Sequence, residues 1–137
     1  MMGTTDVSRK IIISQPITDG LAGSIIDHIL AINDFDAQMS VVSTYQAEPI
    51  EMFINSGGGS ATAGFAIISA MEMSETPIVT YGFGIVGSMA LAIFVAGDVR
   101  IAHRFCRFMY HSVAYGVEGH IKDHEDMHRE ANILQDM

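Results

Sequence analysis

Two glycine-rich turns carry the residues of this chain that could do chemistry. Asn55-Ser56-Gly57-Gly58-Gly59-Ser60 separates an apolar run from a helical pattern, and Gly84-Ile85-Val86-Gly87-Ser88-Met89 does the same further on. Consecutive glycines permit positive φ and leave backbone N–H groups uncovered, which suits an oxyanion or an extended peptide backbone. A phosphate is the competing ligand, but the first turn lacks the lysine of a P-loop and the spacing of a dinucleotide fingerprint. From residue types alone a tight turn is the simpler account.

Ser88 opens the apolar helix that follows the second turn. Serine is a preferred N-cap, and capping alone accounts for it. The alternative is a nucleophile, because a helix start stabilises negative charge on or near Oγ once a base takes the proton. Of the six histidines, His28, His103, His120, His124 and His128 fall on helical or polar segments, where solvated or helix-face roles are usual. His111 ends the strand pattern Phe105 to Tyr110, from which its imidazole could project toward the helix starting at Ser88. By spacing alone a Ser88–His111 pair and a structural histidine both remain open. Cys106 is the one cysteine; it has no internal disulfide partner and no metal-ligand spacing, and is expected to be inert core. Neither a metal nor a cofactor is expected.

The elements that must position these residues belong to one folding unit. The chain has 137 residues, enough for a single core and too few for two ordinary domains. Apolar residues make up 49% and charged residues 17%, a balance far from that of disordered chains. Mean hydropathy is +0.30, high for a small soluble domain, so part of the apolar surface is expected between subunits. The net charge of −9, with seven scattered Lys and Arg, argues against a nucleic-acid partner. Ile85 to Ala96 is too short to span a bilayer, which needs about 20 apolar residues, and Met1 to Ser8 does not read as a secretory signal. The expected location is cytoplasmic.

Lys10 to Ser14 is a β-branched run, read as a strand buried on both faces. Leu21, Ile25, Ile29 and Ile32, widened by Ile26 and Leu30, predict a helix of about three turns. Asn33 to Glu48 is polar and without a clear period, and is read as including a loop. Pro49 to Ile54 is the next strand, and Ala61 to Met73 the next helix, through Phe65, Ile68 and Met71. Pro77 to Phe83 is a strand, Gly84 to Gly87 a turn, and Ser88 to Ala96 a buried helix. Val99 to Ala102 and Phe105 to Tyr110 are short strands, Ser112 to Gly119 an extended segment, and a helix starts at Ile121. Strands alternating with helices predict an α/β fold with a largely parallel sheet, and a site between the two glycine turns.

In order and spacing these segments resemble the proteolytic subunit of the Clp protease, with a more distant relation to the crotonase-like fold. Met52-Phe53-Ile54-Asn55-Ser56-Gly57-Gly58-Gly59-Ser60-Ala61-Thr62-Ala63-Gly64 looks like that family's I-N-S-P-G-G-S-x-x-A-G strand and turn. Gly84 to Met89 is similar to its G-x-A-A-S-M motif, and Arg107-Phe108-Met109-Tyr110-His111 to its R-x-M-x-H motif. The resemblance runs from about Lys10 to the end. It implies a short N-terminal segment over 1–9, a ClpP-like head over 10–111, and a substrate and ring-contact strand with the start of an incomplete C-terminal handle helix over 112–137.

The resemblance also implies a serine endopeptidase that cleaves peptides or unfolded proteins by acyl transfer. Ser88 would be the nucleophile and His111 the general base, with the N–H groups of Gly59 and Met89 forming the oxyanion hole. The backbone of Gly57 and Gly58 and of Ser112, Val113, Ala114, Tyr115 and Gly116 would pair with an extended substrate. The implied assembly is a homo-oligomeric ring, single or stacked in two, served by an AAA+ unfoldase. Gly57 replaces the family's proline, and Glu51 stands where an aromatic residue commonly helps receive the unfoldase. The family's triad aspartate follows the handle helix, so its counterpart falls past Met137. Asp123, Glu125 and Asp126 are the nearest acids, and solvated helix charges are their expected role. The rival readings are a catalytically silent ring component and, with Ser88 and His111 against it, a crotonase acting on acyl-CoA.

Overall fold

The structure is a computed structural model that describes residues 7–110. Strand β1 (Lys10–Ile13) leads to helix α1 (Asp19–Met39), then β2 (Ile50–Ser56), α2 (Ala61–Met73), β3 (Ile78–Gly87), α3 (Met89–Val95), β4 (Val99–Ala102) and β5 (Arg107–Met109). All strand pairings are parallel, in the order β1-β2-β3-β4, with β5 also on β3. The predicted α/β architecture is therefore the one observed.

Right-handed crossovers between strands laid down in sequential order carry every connecting helix to the same face of the sheet. That face is the core, where Ile11 and Ile13 of β1, Ile50, Met52 and Ile54 of β2, and Ile78 of β3 pack with Ile25, Ile29 and Ile32 of α1 and Ile67 of α2. The opposite face lacks a helix among the described residues. There Ile12, Phe53, Tyr81 and Ile101 stand side by side in register across four strands, and Ile12 is 64% exposed. The expectation that β1 is buried on both faces is thus corrected: it is an edge strand covered from one side only. No helix of the described residues is long and apolar enough to cross a membrane.

α1 is 21 residues long, nearly twice the predicted length, because its polar second half is held by tertiary contacts that local periodicity does not reveal. Asn33 donates to the carbonyl of Ile29 and to Ser74 Oγ, and its Oδ1 accepts from Glu75 N at 2.8 Å. Asp36 receives both terminal nitrogens of Arg9, at 2.8 and 2.7 Å, together with the hydroxyls of Tyr45 and Thr76. Four segments are joined at that carboxylate. Thr18 caps the other end, accepting from Leu21 N at 3.2 Å.

β3 departs most from the sequence reading. Gly84 to Gly87, expected as a turn, continues the strand. The first half pairs with β4 through Val79 to Gly82, and the second with β5 through Ile85 to Gly87. Between the pairs Ile54–Gly82 and Ser56–Val86 the register shifts: Asn55 alone stands opposite Phe83, Gly84 and Ile85. This bulge bends the strand and lets one strand serve two partners.

Candidate active site

Ser56 begins the first glycine turn and is almost fully buried. Its Oγ donates to the carbonyl of Gln15 at 2.8 Å and accepts from Gly58 N at 3.2 Å. The turn is also zipped to the segment before α1, with Ile17 N donating to Gly58 O at 3.0 Å and Ser60 N to Ile17 O at 2.9 Å. A Cβ on Gly59 would lie 2.4 Å from the Ile17 carbonyl oxygen, so the close approach needs glycine. Ser60 then caps α2 through Ala63 N.

Ser88 lies where the second half of β3 meets α3, half-buried, with φ 52° and ψ −122°. Among the described residues it is the one non-glycine with positive φ. That region is costly for a side chain with a Cβ, by about 1–3 kcal/mol, and persists where surroundings enforce it. Here the enforcing contacts are visible. Ser88 N donates to Met109 O of β5 at 3.0 Å, and Gly58 closes in from the other side, so near that a Cβ on it would lie 2.8 Å from Ser88 Cβ. The Ser88 side chain makes no cap hydrogen bond. Capping therefore does not explain the residue, and a sharp strand-to-helix bend that presents the hydroxyl does.

Gly58 brings its backbone over the start of α3, where a Cβ on it would also meet Met89 N at 3.2 Å. The N–H groups of Gly59 and Met89 have no acceptor among the described residues, and Met89 sits at a helix start, where no intrahelical acceptor exists. The Met89 side chain is anchored against Gly64, where a Cβ would fall 2.1 Å from Met89 Cγ. Gly57 is exposed and borders the turn. The first glycine turn and the β3–α3 junction, far apart in sequence, are thus in contact. His111 and the segment Ser112, Val113, Ala114, Tyr115 and Gly116 lie outside the described residues, as do residues 1–6 and the acids of the expected terminal helix.

Sequence reasoning assigned no role to Ser56, which holds the first glycine turn, or to Asn55, which bonds to the bulge of β3. The signal available was a pair of small polar residues at the end of a strand, directly before glycines, where buried backbone groups need partners. Cys106 is partly buried with its Sγ beside Gly82, and burial pushes its thiol pKa up, consistent with an unreactive thiol. Among the described residues no three His, Cys, Asp or Glu side chains gather in a way that could hold a metal.

The family model for Clp protease matches residues 1–137. The chain belongs to the Clp protease family. Its sequence is 31% identical over 134 residues to the ATP-dependent Clp protease proteolytic subunit 2 of Prochlorococcus marinus (strain MIT 9313), covering 96% of this chain and 62% of that protein. It is 29% identical over 125 residues to the subunit of the same name in Treponema pallidum (strain Nichols), covering 90% and 58%. Among solved structures, the ClpP protease catalytic domain from Plasmodium falciparum matches with a TM-score of 0.67 and 25% identity, over 92% of this chain and 62% of that one. This Clp-family chain thus spans about three fifths of the length of the curated relatives it matches.

Proposed function

We propose that the chain is a ClpP-like serine endopeptidase subunit in which Ser88 is the nucleophile and His111 its general base. The observation that carries the reading is the backbone of Ser88, held at positive φ with an uncapped side chain between Gly58 and Met109. His111 follows Met109 by two residues, and two residues of chain reach at most about 7 Å. That short separation in sequence from Met109, whose carbonyl accepts from Ser88 N, and the R-x-M-x-H resemblance are what support His111 as the base.

In the proposed reaction His111 takes the Ser88 proton as Oγ adds to a peptide carbonyl. The N–H groups of Gly59 and Met89 donate to the oxyanion, which places two fixed dipoles where charge develops. Collapse breaks the C–N bond, with the proton passing from His111 to the leaving amine, and water then releases the acyl group by the reverse sequence. Gly57 and Gly58 on one side and Ser112 to Gly116 on the other pair with the extended substrate.

Assembly into a homo-oligomeric ring goes with this reading. It is supported by the apolar row Ile12, Phe53, Tyr81 and Ile101 on the face that no helix of the described residues covers, and by the relatives' names, which call them subunits of an ATP-dependent protease. An AAA+ unfoldase is the corresponding partner. At its expected docking position Glu51 accepts from Tyr81 Oη at 2.8 Å.

The deciding experiment is labelling with a fluorophosphonate, followed by peptide mapping. Modification at Ser88, abolished in Ser88→Ala, is the expected result. A folded protein that resists the reagent at all concentrations would instead be a silent family member. Light scattering tests the assembly, a stable monomer of 14.8 kDa counting against it.

A further inference from the structure

We propose that Asn55 is a positioning residue for Ser88, acting through the bulge of β3; the proposal rests on the reading of Ser88 as nucleophile. Three residues of β3, Phe83, Gly84 and Ile85, face the single residue Asn55 of β2, so the backbone ladder cannot satisfy all of their amides. The Asn55 side chain supplies what the ladder lacks. Its Oδ1 accepts from Ile85 N at 3.0 Å. Because Ile85 N is a donor, the amide oxygen, not the nitrogen, must face it.

Gly84 is shaped to receive that carboxamide. It has φ +71°, and a Cβ there would lie 2.4 Å from Asn55 Oδ1 and 2.8 Å from Cγ. The space above Gly84 is thus filled by Asn55, and the two residues form a matched pair.

What the pair holds leads to the nucleophile without interruption. Ile85 is the first β3 residue to pair with β5, opposite Arg107; Val86 and Gly87 follow opposite Phe108 and Met109. Ser88 N then closes the run on Met109 O. Asn55 therefore pins the residue at which the second ladder starts. A slip of one residue would turn every later side chain to the other face, carrying the Ser88 side chain away from Gly58. Asn55 touches no substrate in this scheme; it fixes where the serine points.

The test compares the full chain with Asn55→Asp, which keeps an acceptor oxygen at the same reach, and Asn55→Leu, which keeps the shape and removes it. Saturation kinetics of fluorophosphonate labelling separate reagent binding from the chemical step. N55L is expected to lower the maximal labelling rate by about 10- to 100-fold with little change in the half-saturating concentration, the size of effect a small misplacement produces. N55D is expected to recover most of that rate.

Amide hydrogen exchange supplies a readout independent of reactivity. In N55L the amides of Ile85 and Ser88 lose protection while those of the β1–β2 ladder keep theirs. If the unaltered protein is not labelled, the reading of Ser88 fails and exchange alone judges Asn55: lost protection at Ser88 upholds its positioning role. A folded N55L with wild-type protection at Ser88 overturns the proposal. So does an N55L whose stability falls evenly over the whole sheet. Should N55L not fold, Asn55→Ala is read by the same two criteria, and a folded N55D with unprotected Ser88 also overturns it.

Discussion

Gly58 and Ser88 are in such close contact that a methyl group added to Gly58 would lie 2.8 Å from Ser88 Cβ and 2.9 Å from Gly87 O. Gly58 also has φ +112°, a conformation closed to other L-residues without strain. Gly58→Ala is therefore expected to cost about 1–3 kcal/mol in chemical denaturation. It should also slow fluorophosphonate labelling more than a core substitution of equal cost, because the strain falls on the serine.

Ser88 bears strain without a compensating side-chain bond among the described residues. Ser88→Gly should relieve it and raise stability by about 1 kcal/mol, whereas Ser88→Ala, which retains the Cβ, should leave stability within about 0.5 kcal/mol. Both remove labelling. A calorimetric midpoint for Ser88→Gly below that of the unaltered protein would contradict the assignment of strain to this residue.

Ser56 satisfies two backbone groups from a buried position, the Gln15 carbonyl and the Gly58 amide. Ser56→Ala leaves both without this partner, an expected loss of about 1–3 kcal/mol. Gly57 behaves oppositely. A Cβ there meets nothing within 4 Å and its φ is not positive, so Gly57→Ala should stabilise by about 0.4–1 kcal/mol through the unfolded chain. Urea denaturation of the two variants should move in opposite directions.

The Arg9 guanidinium, bonded to Asp36, holds that carboxyl down at about 2 despite desolvation, which opposes the shift; Arg9 is correspondingly raised. The unfolded chain binds a proton to this carboxyl near the ordinary aspartate value of about 3.9. The stabilisation is therefore complete above that value and is lost as pH falls from about 4 to about 2. Discounted for partial exposure, it is on the order of 1 kcal/mol. Asp36→Asn should be less stable at neutral pH, and the gap to the unaltered protein should narrow in acid. A gap independent of pH would exclude the linkage.

α2 was legible in the sequence to the residue, because a glycine turn, a capping Ser60 and Pro77 beyond its end are local signals that need no partner. Ile25, Ile29 and Ile32 of the expected stripe are buried in α1 for the same reason, whereas Leu21 is only partly buried, Leu30 is exposed, and Ala22, not among the expected residues, is buried. The length of α1 was not legible, since Asn33 and Asp36 read as loop residues until Ser74, Thr76 and Arg9 arrive from distant parts of the chain to bind them. Ile12 read as buried because β-branching reports strand and not which face is covered, and coverage depends on the hand of the crossovers. Composition and spacing settled the alternating α/β pattern, and the motifs placed Ser88 and the glycine turns in one family. Only the tertiary structure decided that Gly84 to Gly87 is strand, that Gly58 touches Ser88, and that Ser88 lies at positive φ. A local code cannot hold a residue in a strained conformation; the force comes from β5, the glycine turn and the Asn55 bulge, which meet only when the sheet is formed.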